Sequence, residues 1–397
     1  MTETVCYDCG RTYPPDRVRC RCGEPTWFDV DVDGFEWPTE GDRTGVRRYA
    51  DVLPVDPVAG LSDASGGTPL VRADRLDEYA GCRLFVKDEG QNPTGSFKDR
   101  GSAVGVAWAA RAGHEWVGTV SHGNMAMSMA AHAADRDLGC VVLVPSRIPA
   151  DRLGLIAQYD PEVLRVEGNY GRLYYDTLDV ETEPAVTFVN SDAPTRVAGQ
   201  KTVAFEICEA FAPETPDAIV LPVSSGGHAS AVWKALGELV DAGAIARTPR
   251  IYLAQAEAVA PIARAFRRGE ETVADVDPAE TVAFSISNGS PPSGNRALAA
   301  ARRTGGGVRS VSEDAILEAT ERFATRAGLC VEPACATTLA AIRDLTEAGE
   351  IDADERVVAI ATGTGFKEST GIRDGNDPVD VTLDRLEEEL AAAIDRE

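Results

Sequence analysis

Apolar positions along the chain gather in short runs, and polar turns and helix-length stretches separate them. The runs lie at 84–86, 116–120, 140–145, 186–189, 218–223, 251–257 and 357–361. Apolar runs of about four to eight residues are typical of strands that are buried on both faces. Strands that alternate with helices predict a parallel sheet, so we expect a doubly wound α/β fold.

The length of the chain predicts more than one domain. A chain of 397 residues is too long for one ordinary core, so we expect two doubly wound α/β domains with an appendage. The predicted parts are a zinc-ribbon-like segment at 1–30, a linker or wrapping arm at 31–66, a large domain formed by 67–100 and 205–378, a small domain at 101–204, and a charged C-terminal helix at 379–397.

The stretch 88–101 reads DEGQNPTGSFKDRG and joins the run at 84–86 to an alanine-rich helix predicted at 102–112. It places Lys98 near the start of a helix, where the positive end of the helix dipole lowers the pKa of an amine. The chain has 39 basic residues but only five lysines, and only lysine can become neutral and form a Schiff base. Lys98 is therefore a candidate nucleophile, and a surface lysine in a polar turn is the alternative.

Three more loops follow predicted strands and carry polar groups, at 121–124, 224–230 and 362–365. The carboxyl ends of parallel strands are where open α/β sheets bind ligands. The Ser/Gly loop at 224–230 can hold a phosphate on backbone amides, whereas Asn124 alone could be no more than a helix cap. A lysine, an amide donor, a phosphate cradle and a terminal Thr-Gly pair are together the set that pyridoxal phosphate requires.

Composition excludes several kinds of partner. Acidic residues number 64, so the net charge is −25, and this charge is spread along the whole chain. Such a surface repels nucleic acid and anionic membranes and resembles that of proteins adapted to high salt. We also find no apolar run near the roughly 20 residues that span a bilayer, and no secretory signal. With nine unevenly spaced cysteines, these features predict a cytoplasmic protein.

Four of the cysteines lie close together near the N-terminus: Cys6, Cys9, Cys20 and Cys22. Two close pairs separated by a short arm are typical of a zinc knuckle or ribbon, because thiolates are good tetrahedral zinc ligands. Four ligands leave no open position, so the predicted zinc is structural. Free thiols or a lost metal site are the alternatives.

The motifs, taken in order, resemble the threonine synthase family of fold type II (tryptophan synthase β-like) pyridoxal phosphate enzymes. The resemblance covers about residues 1–370 and rests on the lysine stretch together with SHGNMAMSMAAHAA, VNSDAPTRVAGQKT, LPVSSGGHASAVWKAL, AQAEAVAPIARAF, SISNGSPPSGNRAL, GLCVEPACATTLAAI and ATGTGFKE. It implies conversion of O-phospho-L-homoserine and water to L-threonine and phosphate.

The resemblance also implies roles for individual residues. Lys98 would hold the cofactor and later move protons, Asn124 would contact the ring hydroxyl oxygen, and Thr362 would face the ring nitrogen. The cofactor phosphate would lie on Ser224, Ser225, Gly226, Gly227 and His228. The phosphorylated substrate would be recognised by Ser121, Asn190 and Arg196.

The chain departs from the family pattern at the cradle, where Ser224–His228 replaces the usual G-N-x-G-N, and at Met125. These changes leave open a related β-replacement or elimination enzyme, such as a cysteate synthase or a threonine/serine dehydratase, or a protein that keeps only the fold. The expected partner is a small amino-acid substrate. The sequence is also compatible with a homodimer.

Overall fold

The structure is a computed structural model that describes residues 3–15, 17–39, 41, 43–121, 123–146, 148, 150–168, 170–180, 182, 186–277, 279–368 and 380–394. The strands are β1 (Thr4–Cys6), β2 (Thr12–Tyr13), β3 (Thr26–Phe28), β4 (Leu70–Arg72), β5 (Arg83–Asp88), β6 (Trp116–Val120), β7 (Gly139–Pro145), β8 (Glu162–Val166), β9 (Val186–Phe188), β10 (Ala218–Pro222), β11 (Arg250–Ala256), β12 (Gly307–Val311) and β13 (Arg356–Ala361).

The helices that connect these strands vary from one turn to about four. They are α1 (Leu61–Ala64), α2 (Asp77–Ala80), α3 (Lys98–Arg111), α4 (Asn124–Ala134), α5 (Ala150–Ala157), α6 (Tyr170–Asp176), α7 (Pro194–Gln200), α8 (Thr202–Phe211), α9 (Gly227–Asp241), α10 (Pro261–Arg268), α11 (Gly294–Arg303), α12 (Glu313–Ala327), α13 (Pro333–Glu347) and α14 (Leu386–Ile394).

Two parallel sheets organise the fold. The larger has the order β12-β11-β10-β13-β5-β4, in which only β4 is antiparallel to its neighbour, and the smaller has the order β8-β7-β6-β9. The central strands β10 and β13 are almost wholly buried, because helices cover both faces of the sheet. A separate antiparallel sheet, β2-β1-β3, lies in the cysteine-containing segment.

The predicted α/β class and parallel sheets are confirmed. The strands that lie between 116 and 188 form the smaller sheet. The predicted domain limits stay predictions, and the limit at residue 378 falls outside the described residues. The prediction missed β8, whose five residues are largely exposed at the sheet edge and so carry no apolar run. In the described ranges, no helix combines the length and the apolar character that crossing a membrane requires.

Helix α3 begins four residues earlier than the sequence predicts. The carboxylate of Asp99 accepts hydrogen bonds from the backbone N–H and the hydroxyl of Thr94, both at 2.7 Å. The negative charge of Asp99 in the first turn also stabilises the helix, because it lies near the positive end of the helix dipole. Lys98 is therefore the first residue of the helix, directly at the carboxyl edge of the larger sheet.

Candidate active site

The loop between β5 and α3 holds Lys98 in one position. Gly95 has φ +74°, and a Cβ atom there would lie 2.6 Å from Thr364 Cγ2, so only glycine fits. Behind the loop, the buried guanidinium of Arg100 contacts Glu89 at 2.7 Å and Glu206 at 2.6 Å. The charge of Arg100 is thus paired with two carboxylates, and these contacts fix the loop. Removing one partner would leave a buried charge uncompensated, which destabilises the fold.

Lys98 lies in an electrostatic setting that favours its neutral form. Desolvation by the surrounding protein lowers the pKa of Lys98 well below its usual range, and the positive charges of Arg196 and Lys367 lower it further. The carboxylate of Glu332 opposes this effect. A neutral amine is a nucleophile and a proton acceptor, so the reactive-lysine interpretation has a physical basis here.

The turn after β10 contains the residues of the predicted cradle, and it lines the cavity around Lys98. Gly226 has φ +89°, and a Cβ atom there would lie 2.3 Å from Ser293 O, while one on Gly227 would lie 2.0 Å from Ser191 O. The backbone can approach its neighbours only because both residues are glycine. The fifteen-residue helix α9 begins at Gly227, so its unpaired N–H groups and its dipole point at the cavity.

The predicted cradle implies that the His228 side chain contacts a phosphate, but its imidazole packs against an aromatic ring instead. Its ring stacks on Phe97 with centroids 4.0 Å apart and an interplanar angle of 22°. Neither ring nitrogen has a hydrogen-bond partner among the described residues. Burial, followed by the charges of Lys98 and Arg100, lowers the pKa of His228 well below its usual range. The ring is therefore neutral, and at this residue the backbone N–H is the stronger candidate for an anion.

Asn124 lines the cavity, but both polar atoms of its side chain are already bonded. Its Nδ2 donates to Glu332 Oε1 at 2.7 Å, and its Oδ1 accepts from Lys367 Nζ at 2.7 Å. The other carboxylate oxygen, Glu332 Oε2, accepts from Ser285 at 2.9 Å. Sequence reasoning missed Glu332, although a carboxylate directly before a proline that starts a helix, as in GLCVEP, is a signal that could have drawn attention to it.

The remaining predicted residues fall into two groups. Ser121, Arg196 and Thr362 line the same cavity as Lys98. Asn190 does not, because its Oδ1 accepts from the Val120 N–H and its Nδ2 donates to Thr177, both at 2.9 Å. Its role as a substrate contact stays a prediction.

The cavity itself has a volume of about 120 Å³ and opens to solvent. Its lining combines the Lys98 amine, whose pKa is lowered, a glycine turn at a helix N-terminus and the hydroxyl of Thr362 at the end of β13. These groups match the aldehyde, the phosphate and the ring nitrogen of pyridoxal phosphate, so the residues present fit that cofactor.

The four N-terminal cysteines form a second candidate site. All four sulfur atoms lie within 4.8 Å of one another. Three of the separations are 3.7 Å (Cys6–Cys22), 3.5 Å (Cys9–Cys20) and 3.9 Å (Cys9–Cys22). Zinc bound tetrahedrally at about 2.3 Å from each sulfur requires edges of about 3.8 Å, whereas a disulfide requires about 2.05 Å. The spacing therefore fits a four-thiolate metal site.

Comparisons with known proteins agree with this geometry. The family model described as "Pyridoxal-phosphate dependent enzyme" matches residues 61–363. Threonine synthase from Methanocaldococcus jannaschii is 37% identical, covering 96% of both chains, and that from Methanosarcina acetivorans is 36% identical, covering 98% of this chain and 99% of the relative. Among solved structures, maize serine racemase has TM-score 0.64 and 22% identity, covers 83% of this chain and 92% of its own, and so shows the fold alone.

The chain therefore belongs to the pyridoxal-phosphate dependent enzyme family, as a fold type II member. Within that family it is a lyase of the threonine synthase group, since the similarity extends over nearly the whole length of the relatives.

Proposed function

We propose that the protein converts O-phospho-L-homoserine and water to L-threonine and inorganic phosphate, with pyridoxal 5'-phosphate as cofactor. The observation that carries the proposal is that the buried Lys98 amine, Arg196 and the start of α9 share one cavity, and that burial lowers the pKa of this amine. This places a proton acceptor within the same cavity as two groups suited to binding phosphate.

Each group has a proposed task toward the cofactor. Lys98 would hold it covalently, the backbone amides of Ser224–Gly227 would bind its phosphate, and the Thr362 hydroxyl would meet its ring nitrogen. Asn124 would meet the ring oxygen only by sharing the Nδ2 hydrogens that now reach Glu332. The bound cofactor supplies an electron sink that acidifies carbon–hydrogen bonds beside the substrate amine.

The side chains then bind and move protons. Lys98, once it no longer holds the cofactor, would accept a proton from the substrate carbon and later return one. Arg196, buried in the cavity wall, would bind the leaving phosphate with its planar fork of donors. Ser121 lies on the same wall and would contribute a hydroxyl donor.

One observation favours a second function. Met125 lines the cavity, and its thioether offers no donor to a substrate phosphate. A β-replacement or elimination enzyme such as a cysteate synthase or a threonine/serine dehydratase would need fewer such donors. The two functions differ in their products.

The test is product analysis with purified holoenzyme. With O-phospho-L-homoserine we expect threonine and phosphate in a one-to-one ratio, whereas ammonia and a 2-keto acid from threonine or serine would contradict the proposal. Lys98→Ala should abolish turnover and the absorption band of the lysine-bound cofactor. Lys98→Arg is the matched control: it keeps a cation yet should also lose the band, because a guanidinium cannot be neutral.

We also propose that Cys6, Cys9, Cys20 and Cys22 bind one structural zinc ion. The support is the close approach of the four sulfur atoms, which all lie within 4.8 Å of one another. Metal analysis should find one zinc per chain, and protein without metal but with four titratable thiols in this segment would contradict it. The homodimer and the cytoplasmic location stay predictions.

A further inference from the structure

The side chain of Arg19 links the cysteine-containing segment to the wall of the active-site cavity. Arg19 directly precedes Cys20, and its Nη2 atom donates to Asp192 Oδ2 at 2.8 Å and to the carbonyl of Pro292 at 2.7 Å. Its Nη1 atom donates to the carbonyl of Gly23 at 2.5 Å. One guanidinium thus joins the cysteine hairpin to two segments that are far apart in sequence.

Both segments belong to the cavity. Asp192 is fully buried and accepts a hydrogen bond from the hydroxyl of Tyr174. Tyr174 and Pro292 line the cavity, as does Ser191, the residue before Asp192. Ser191 O lies only 2.0 Å from the position that a Cβ atom on Gly227 would take, so a shift of Asp192 would move the carbonyl that packs against the cradle.

A second contact supports the same wall. Asn295, in the first turn of α11, donates to Glu24 Oε1 at 2.7 Å, and Glu24 also accepts from the hydroxyl of Tyr7 at 2.9 Å. Ser293, two residues earlier, donates its backbone N–H to Ser225 O at 2.9 Å. The cysteine segment therefore braces the loop that supports the cradle.

The hairpin that presents Arg19 has little of its own to keep it folded. The sheet β2-β1-β3 contains strands of only two or three residues, and so small a sheet is marginal without further support. The turn at Cys20 is held by two backbone bonds, Cys20 N–H to Glu24 O at 2.8 Å and Gly23 N–H to Cys20 O at 3.0 Å. A metal ion on the four thiolates would supply the missing rigidity.

We infer that Arg19 is a positioning residue that connects the metal-binding cysteine cluster to the substrate side of the active site, so that metal occupancy sets the affinity for the phosphorylated substrate. The cluster fixes the backbone at Cys20, and this backbone orients the guanidinium of Arg19. The guanidinium in turn holds Asp192 and the carbonyl of Pro292 side by side in the wall. The inference rests on the proposed function for the nature of the substrate, but not for the coupling.

The first experiment separates positioning from catalysis. Arg19→Ala in the zinc-loaded holoenzyme should raise KM for O-phospho-L-homoserine about tenfold, the loss expected for a hydrogen bond to a charged group, with kcat changed by less than about threefold. Zinc content and the cofactor absorption band should not change. Arg19→Lys should recover part of the affinity, because lysine keeps the charge but not the fork.

Arg21→Ala is the matched control, since Arg21 lies in the same hairpin and is exposed. It should behave like the parent enzyme. An unchanged KM in Arg19→Ala, or an equal rise in Arg21→Ala, would overturn the inference.

The second experiment tests the coupling to the metal. Cys20→Ser should lose zinc and raise KM to a similar extent, and Arg19→Ala with Cys20→Ser should be no worse than either single variant. If Cys20→Ser does not fold, removal of zinc from the parent enzyme with a chelator replaces it. Additive losses would show that the metal acts by another route.

Amide hydrogen exchange tests the coupling between the metal and the cavity wall without the use of any substrate. Zinc removal should speed amide exchange in peptides covering 173–177 and 288–296 of the parent enzyme, but not in Arg19→Ala, where these segments are already released. If the parent enzyme does not turn over O-phospho-L-homoserine, the proposed function fails while this measurement still decides the coupling. Equal exchange with and without zinc would overturn the inference.

Discussion

At the scale of single residues, the reactivity of Lys98 depends on its charged neighbours. Arg196 and Lys367 lower the pKa of its amine and Glu332 raises it, with desolvation as the largest effect. Glu332 also orients Asn124 and contacts the ammonium of Lys367 at 3.7 Å. One buried carboxylate therefore affects both the amine and the amide that the cofactor is proposed to meet.

We predict that Glu332→Gln shifts the reactivity of Lys98 to lower pH. Glu332 raises the pKa of Lys98, so removing its negative charge lowers that pKa further and increases the neutral fraction of the amine at any given pH below the original midpoint. The measurement is the rate at which pyridoxal phosphate rebinds to the apoprotein as a function of pH. Ser285→Ala is the control, because it removes a partner of Glu332 but not the charge. A midpoint that moves to higher pH would contradict the prediction.

At the scale of elements, helix α9 carries two glycines with opposite surroundings. A Cβ atom on Gly227 at its first turn would lie 2.0 Å from Ser191 O, whereas one on Gly237 in its interior would meet nothing within 4 Å. The glycine at the cradle is thus required by a close approach of two backbones. The interior glycine only adds flexibility to the helix.

This contrast gives a matched pair of variants. We predict that Gly227→Ala weakens pyridoxal phosphate binding at least tenfold, about 1.4 kcal/mol, since the start of α9 must move away from Ser191. Gly237→Ala should keep cofactor affinity and stabilise the fold by about 1 kcal/mol, because alanine is the better helix former. Spectroscopic titration of the apoprotein and thermal unfolding measure the two effects. Equal cofactor affinities in the two variants would show that the cradle tolerates a side chain.

The same scale shows what the sequence can and cannot predict. The strand-turn-helix units around Lys98 and Gly227 are local, so their apolar runs and glycines predict them well. The bonds of Glu332 to Asn124, Ser285 and Lys367 join segments that are distant in the chain, and no local pattern reports them. The orientation of the His228 ring was missed for the same reason, since Phe97 meets it only in the folded chain.

At the scale of the whole molecule, the net charge of −25 opposes compaction. Self-repulsion between surface carboxylates falls when salt screens it, because the Debye length shortens from about 10 Å at 0.1 M to about 3 Å at 1 M. The acidic composition therefore predicts that the protein is adapted to high salt.

We predict that the melting temperature rises as KCl is increased from 0.1 M to 1 M. A gain of about 1 kcal/mol would raise it by roughly 1 °C in a chain of this size. Differential scanning calorimetry is the measurement, and sucrose at matched osmolality is the control, since it stabilises without screening charge. A melting temperature that does not depend on KCl would contradict the prediction.

The strand order of the larger sheet also has a consequence for synthesis. Strand β5, which leads to Lys98, lies between β4 and β13, and Arg83 is paired in parallel with Arg356. Pairing over so long a stretch of chain is slow, because the loop must close before any contact forms. During synthesis, we expect the edge of β5 that pairs with β13 to stay unpaired until β13 has been translated. We therefore expect the lysine to reach its final position late, and the cofactor to be captured only after the whole sheet has been translated.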